Sequence, residues 1–143
     1  MYQDVYKAIQ VLPKGDLADL KRCNLGAIAN SPAYFRVLAH AKVADNKQTQ
    51  RILYLLLHSK VETSGEGVSV ALALIQAGVK ERQVIQLTRS GDNSIDYLKR
   101  QLVRCKGINL DSLGKLAQFW GDNARRQLLK EFIFANTEKL EAN

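Results

Sequence analysis

The side chains in this chain that can do chemistry are mostly cations, and they recur at helical spacing. Lys47, Arg51, Tyr54 and His58 step by four, three and four residues. On a helix turning 100° per residue they fall on one stripe, with Ile52, Leu53 and Leu56 roughly opposite. Arg82, Gln86 and Arg89 make a second stripe, opposite Val84 and Leu87. Arg100 and Arg104 lie opposite Ile95, Leu98 and Leu102, and Arg126, Lys130 and Phe134 follow one another at four-residue intervals. The chemistry such stripes support is phosphate binding. A guanidinium donates two parallel hydrogen bonds to a phosphate and suits it better than an ammonium does. An aromatic ring such as that of Tyr54 offers a face to a base or sugar. Each stripe also has a plainer reading as a solvated face. In that reading Tyr54 turns onto a neighbouring helix, and Arg100 pairs with Asp96 one turn before it, which leaves Arg104 untouched.

Two further groups of cations rank below these. Arg125 falls inside the apolar arc of its helix, where it must pair with a carboxylate or snorkel past the core. Lys21 and Arg22 share a helix with Asp16 and Asp19 and read as a solvated, mixed-charge face. Nothing in the sequence supports bond-making chemistry. The two histidines, His40 and His58, are eighteen residues apart, and no HExxH or CxxC spacing for a metal occurs. No GxxxxGK[ST] or GxGxxG loop is present. Gly65 and Gly67 follow no strand pattern, and the carboxylates are scattered. The expectation is a protein that is not an enzyme, with no catalytic residues, no metal and no cofactor.

The elements that must position the stripes are helices. Tyr2, Val5, Tyr6, Ile9 and Leu12 mark the first, ended by Pro13. Asp16 caps a short second helix to about Arg22. Ser31, followed by Pro32, opens a third to about His40, and Asp45 or Asn46 a fourth to about Lys60. Residues 61–67, VETSGEG, read as a loop. A helix over 68–77 closes at Gly78, and another covers 80–89. Residues 94–106 end at Gly107, Asn109 or Asp111 opens the helix to Trp120, and Asp122 opens the last. The expected fold is all-α, a bundle of about nine helices with no strand pattern. The break at Ser90-Gly91-Asp92-Asn93 divides it into two small lobes, 1–90 and 91–143. Trp120 belongs to the core between the last two helices.

The chain has 143 residues, 46% of them hydrophobic, enough to bury a core as one domain or two lobes. Its 21 Lys and Arg outnumber 14 Asp and Glu to give +7, which suits a polyanionic partner, nucleic acid or an anionic membrane surface, or else serves solubility. Cys23 and Cys105 make no disulfide framework and read as small buried residues. The opening MYQDVYKAIQ has no signal-peptide pattern, and apolar runs such as Ile52–Leu57 are far too short to span a bilayer. A cytoplasmic protein without a membrane partner is expected.

The stretch FWGDNARRQLLKEF at 119–132 resembles the C-terminal hairpin of the small subunit of type I-E CRISPR Cascade surveillance complexes, the CasB family. The runs SPAYFRVL at 31–38, GVSVALALIQAG at 67–78 and ERQVIQLTR at 81–89 fit the same family in the same order. The resemblance implies a helical, non-catalytic subunit that lies in the assembly as a head-to-tail pair with a second copy of itself. Its partners would be the backbone and large subunits, with guide RNA and target DNA within the complex. Its basic surfaces would hold the opened DNA strands. By sequence match, Lys47, Arg82, Arg89, Lys99, Arg100 and Arg126 fall where the family presents basic residues. Gly91-Asp92 and Asp122-Asn123 depart from that pattern, standing where members carry basic residues. Small subunits of related effector complexes are similarly helical and basic. Apart from the resemblance, the residues also fit a free-standing helical DNA- or RNA-binding protein, or a structural adaptor.

Overall fold

The computed structural model describes residues 1–142. Its fold is all-α, with ten α-helices in the order α1 (Tyr2–Gln10), α2 (Lys14–Arg22), α3 (Leu25–Ile28), α4 (Pro32–Ala41), α5 (Lys47–Leu57), α6 (Val70–Gln76), α7 (Glu81–Arg89), α8 (Ile95–Leu102), α9 (Leu110–Gln118) and α10 (Asp122–Ala142). A 3-10 turn at Asp92–Ser94 precedes α8, and two short strands, β1 (Val61–Glu62) and β2 (Ile108–Asn109), pair in parallel.

Local chemistry explains where the helices begin and end. The side chains of Asn24, Asn46, Ser69 and Asn109 each accept a bond from a first-turn amide, satisfying donors that have no intrahelical partner. Pro32 sits in the first turn of α4. Gly78 adopts φ of 83°, the left-handed conformation that ends α6 without a Cβ clash, whereas α8 stops at Leu102, so Gly107 (φ 63°), expected to end that helix, instead turns the chain into β2.

Several boundaries differ from those read in the sequence. α2 starts at Lys14, because Pro13 rather than Asp16 occupies the N-cap position. The four-residue α3 went unmarked, being too short for a periodic signal. Val68 lies outside α6: its amide donates to Gly107 O at 2.9 Å, and it forms an isolated parallel bridge with Ile108. The 61–67 loop thus carries a strand at one end, and β2 lies between Val61 and Val68.

The core is built around α5. Thr49 and the whole run Ile52–Leu57 are buried, since α1, α3 and α9 all pack against this helix. α10 packs on α6 and α7, and α1 packs on α4. Helices before and after the 90–93 break therefore share contacts, and one apolar cluster runs from Val5 to Phe132. Trp120 is buried in that cluster, as its helical phase suggests, and its indole Nε1 donates to Asp92 O at 3.1 Å.

Candidate nucleic-acid interface

The fold draws several cations away from solvent. Arg51 donates from Nε to Ala117 O at 2.8 Å and from Nη2 to Gln118 O at 2.7 Å. It therefore caps the C-terminal carbonyls of α9, where four acceptors lack intrahelical partners. Two of the donors expected to meet phosphate are thus taken up by the protein's own backbone. Arg104 donates from Nη2 to Ala77 O at 3.0 Å, at the end of α6, and from Nη1 to Gln101 Oε1 at 3.2 Å. Its guanidinium is exposed but largely committed to the protein.

Tyr54 is 1% exposed, so its ring is not a platform for a base. Its hydroxyl donates to Asp96 Oδ1 at 2.6 Å, and burial followed by this bond raises its pKa. Asp96 is thereby taken up by Tyr54, and it forms no salt bridge with Arg100. Arg125 is 2% exposed; Nη1 bonds Asp92 Oδ1 at 2.7 Å, Nη2 bonds Asp122 Oδ1, and the guanidinium lies 5.4 Å from the Trp120 ring centroid. Asp92 and Asp122 both serve this buried arginine.

Other cations gather on one side of α8. Arg82 of α7 and Arg100 of α8 line a groove of about 790 Å³ with Gln86, Asn93 and Tyr97. Arg100 is exposed, its guanidinium 5.9 Å from the Tyr97 ring centroid. Arg100 also borders a second cleft, of about 330 Å³, with Lys99, Lys21, Arg22, Asn24 and Tyr54. Half-buried Lys99 holds Nζ 5.3 Å from the Tyr54 ring centroid. A band of cations from α7, α8 and α2 results. Lys21 and Arg22 were set aside in the sequence because only their own helix is visible there. The signal that places Lys21 beside Lys99 is tertiary. Arg22 is tied to Asp19 at 2.6 Å, whereas Lys21 has no ion pair among the described residues.

The remaining predicted cations sit elsewhere. Lys47 is exposed at the start of α5, on a third groove of about 530 Å³ with Asn24, Gln50, Asn93 and Trp120. Arg89 is exposed in the last turn of α7, where a cation also suits the helix dipole. Arg126 and Lys130 are exposed on α10, with Lys130 Nζ 5.5 Å from the Phe134 ring centroid. Neither lines the grooves that hold Arg82 and Arg100. Among the described residues, none of Lys47, Arg82, Arg89, Lys99, Arg100, Arg126 and Lys130 forms an ion pair. Their charges remain available to an anion.

Among the described residues, no group of three or more His, Cys, Asp or Glu side chains is placed to hold a metal, and no helix is long and apolar enough to cross a membrane.

Fold and surface together define an all-α protein with a band in which cations outnumber carboxylates. No protein-family model matches the chain, and no curated protein matches it. Among solved structures, its fold is similar to that of a chain in the crystal structure of E. coli Cascade bound to a PAM-containing dsDNA target. The TM-score is 0.82 at 22% identity, over 94% of this chain and 95% of that one. The likeness is one of fold.

Proposed function

We propose that the chain is the small, non-catalytic subunit of a Cascade-type, RNA-guided DNA surveillance complex, of the CasB kind. The observation that carries this reading is a conjunction. The fold matches, almost end to end, a chain of a DNA-bound Cascade, and the same chain presents Lys21, Arg82, Lys99 and Arg100 from α2, α7 and α8 with no ion pair among the described residues. In this role Arg82, Lys99, Arg100 and Lys21, with Lys47, Arg89, Arg126 and Lys130 on flanking surfaces, hold phosphates of opened DNA in the cytoplasm during antiviral defence.

The energetic reason is that exchanging a DNA duplex for an RNA–DNA heteroduplex is nearly balanced. Backbone contacts of modest strength then tip the exchange. Binding of this kind reads charge rather than sequence, because phosphate contacts position a strand without identifying its bases. Partners would be the backbone and large subunits, guide RNA, target DNA and a second copy of the chain.

The test is to replace Arg82, Arg89 and Arg100 together with Ala inside the assembled complex. Each exposed phosphate contact is worth about 0.5–1 kcal/mol, so target affinity should fall roughly ten- to a hundred-fold. Subunit stoichiometry should stay normal, because no apolar surface is touched. Normal opening of a target duplex by the triple mutant would remove these residues from the DNA path. Loss of the subunit would instead assign the stripe to a protein or guide-RNA interface. If the wild-type chain captures nucleic acid but no larger subunits or guide RNA, it is a free-standing binder.

A further inference from the structure

A histidine lies behind the cleft that Lys21 and Lys99 border. His58 follows the end of α5, and its ring meets the Tyr54 ring edge-on with centroids 5.6 Å apart. Tyr54 lines the cleft, and Lys99 Nζ stands 5.3 Å from the centroid of the same ring. The Nε2 atom of His58 is buried and has no hydrogen-bond partner among the described residues. An imidazole in that position is uncommitted: its protonation answers to the surrounding field rather than to a fixed bond.

The charges that act on it most are those of two lysines. Burial, then the charges of Lys99 from α8 and Lys21 from α2, hold His58 below the ordinary histidine value of 6.5. On its own helix it faces Tyr54, whose hydroxyl donates to exposed Asp96, a carboxylate that keeps its charge and lines the same cleft. Arg100 and Arg22 add further positive charge at the cleft, Arg22 offset by Asp19. Lys60, two residues beyond His58, is exposed.

We propose that the cleft between α2 and α8 is a phosphate subsite, held by Lys21, Lys99 and Arg100, whose filling is coupled to proton uptake by His58. The inference deepens the proposed role in nucleic-acid binding and rests on it. Two ammonium groups from different helices and two guanidiniums, that of Arg22 paired with Asp19, border a space of about 330 Å³, against the single carboxylate of Asp96 in its lining. A phosphate there neutralises the two lysines that disfavour the imidazolium. The proton affinity of His58 therefore rises when the site fills. Linkage fixes the sign: the filled state binds more protons, so phosphate binding tightens as pH falls from the ordinary histidine range toward the lowered value of the empty site.

The experiment follows the ring signals of both histidines by NMR through a pH titration of the isolated chain, alone, with a short oligo(dT), and with inorganic phosphate. Exposed His40 is the internal control. The expected result is an upward shift of the His58 midpoint with oligo(dT) while His40 stays still. Replacing Lys21 and Lys99 together with Ala should abolish the shift and weaken oligo(dT) binding about five- to thirty-fold, the worth of two exposed ion contacts. His58→Gln should keep the binding at pH 8 and lose its tightening at lower pH. Oligo(dT) binding with His58 unmoved, and unaffected by the lysine changes, overturns the subsite and leaves the nucleic-acid role standing. A response to inorganic phosphate with no oligo(dT) binding keeps the anion site and removes the nucleic-acid reading. Failure of both probes to bind overturns both.

Discussion

Arg125 is 2% exposed, yet both carboxylates that hold it, Asp92 and Asp122, reach solvent. The two sides of this cluster therefore respond differently to removal. Replacing Asp92 and Asp122 together with Ala strands a guanidinium in the core, which costs about 3–5 kcal/mol. Arg125→Met leaves two carboxylates that simply rehydrate while the methionine refills the space. It should cost clearly less, since exchanging a buried ion pair for well-packed apolar groups is often neutral. Urea unfolding midpoints of the two variants give the order, and a larger loss for Arg125→Met would refute the account. The neighbouring Trp120 belongs to the same cluster through its contact with Arg125 and its bond to Asp92 O. Trp120→Ala should cost about 3–5 kcal/mol, against less than about 0.5 kcal/mol for Arg82→Ala or Arg89→Ala on the surface. Thermal unfolding of the three variants checks the contrast. Equal losses would mean that the arginine face is buried.

At the scale of elements, helical phase in the sequence separates inside from outside where a helix has one buried face. α7 is such a case: Val84 and Leu87 are buried, Arg82 and Arg89 exposed, as their spacing implies. α5 is surrounded, so the same reasoning fails there. With α1, α3 and α9 around it, residues 52–57 are buried on every side, and the stripe of Arg51 and Tyr54 is tied to neighbouring elements, Arg51 while half-exposed at a groove. What identifies such a helix is the unbroken apolar run over residues 52–57, which outweighs the angle of any one residue. The α1–α9 contact was illegible for another reason: it depends on a missing side chain. A Cβ on Gly114 would stand 2.4 Å from the Tyr2 ring, and the Tyr2 hydroxyl donates to Gln118 on the same helix. Gly114→Ala should thus cost about 1–3 kcal/mol by overpacking, although alanine is the better helix former. Adding Tyr2→Ala should return part of that loss. Two fully additive losses in thermal melts would show that the ring and the glycine are independent.

At the scale of the molecule, an excess of +7 attracts any polyanion, so binding alone says little about which cations touch phosphate. The salt dependence of binding distinguishes them. Each phosphate neutralised on a single strand contributes about −0.7 to the slope of log K against log salt, so four to six contacts give roughly −3 to −4 for the isolated chain. Loss of folded protein lowers the active fraction without changing that slope, whereas removal of a phosphate contact changes it. Arg82 and Arg100 border one groove, and replacing both with Ala should make the slope shallower by about 1.4. Arg89 lies on the same helix as Arg82 but outside the lining of that groove. Adding Arg89→Ala takes off a further ~0.7 if a strand continues along α7, and nothing if it turns toward Lys99 and Lys21. Arg51→Ala provides the converse check. Its guanidinium is bound to α9 carbonyls, so stability should fall while the slope of the remaining folded protein is unchanged. Binding isotherms of oligo(dT) from about 50 to 200 mM salt measure all of these. An unchanged slope in the Arg82, Arg100 double mutant would take the groove between α7 and α8 out of the interface and leave Lys21 with Lys99, Arg89, Lys47 and the α10 stripe as its remaining candidates.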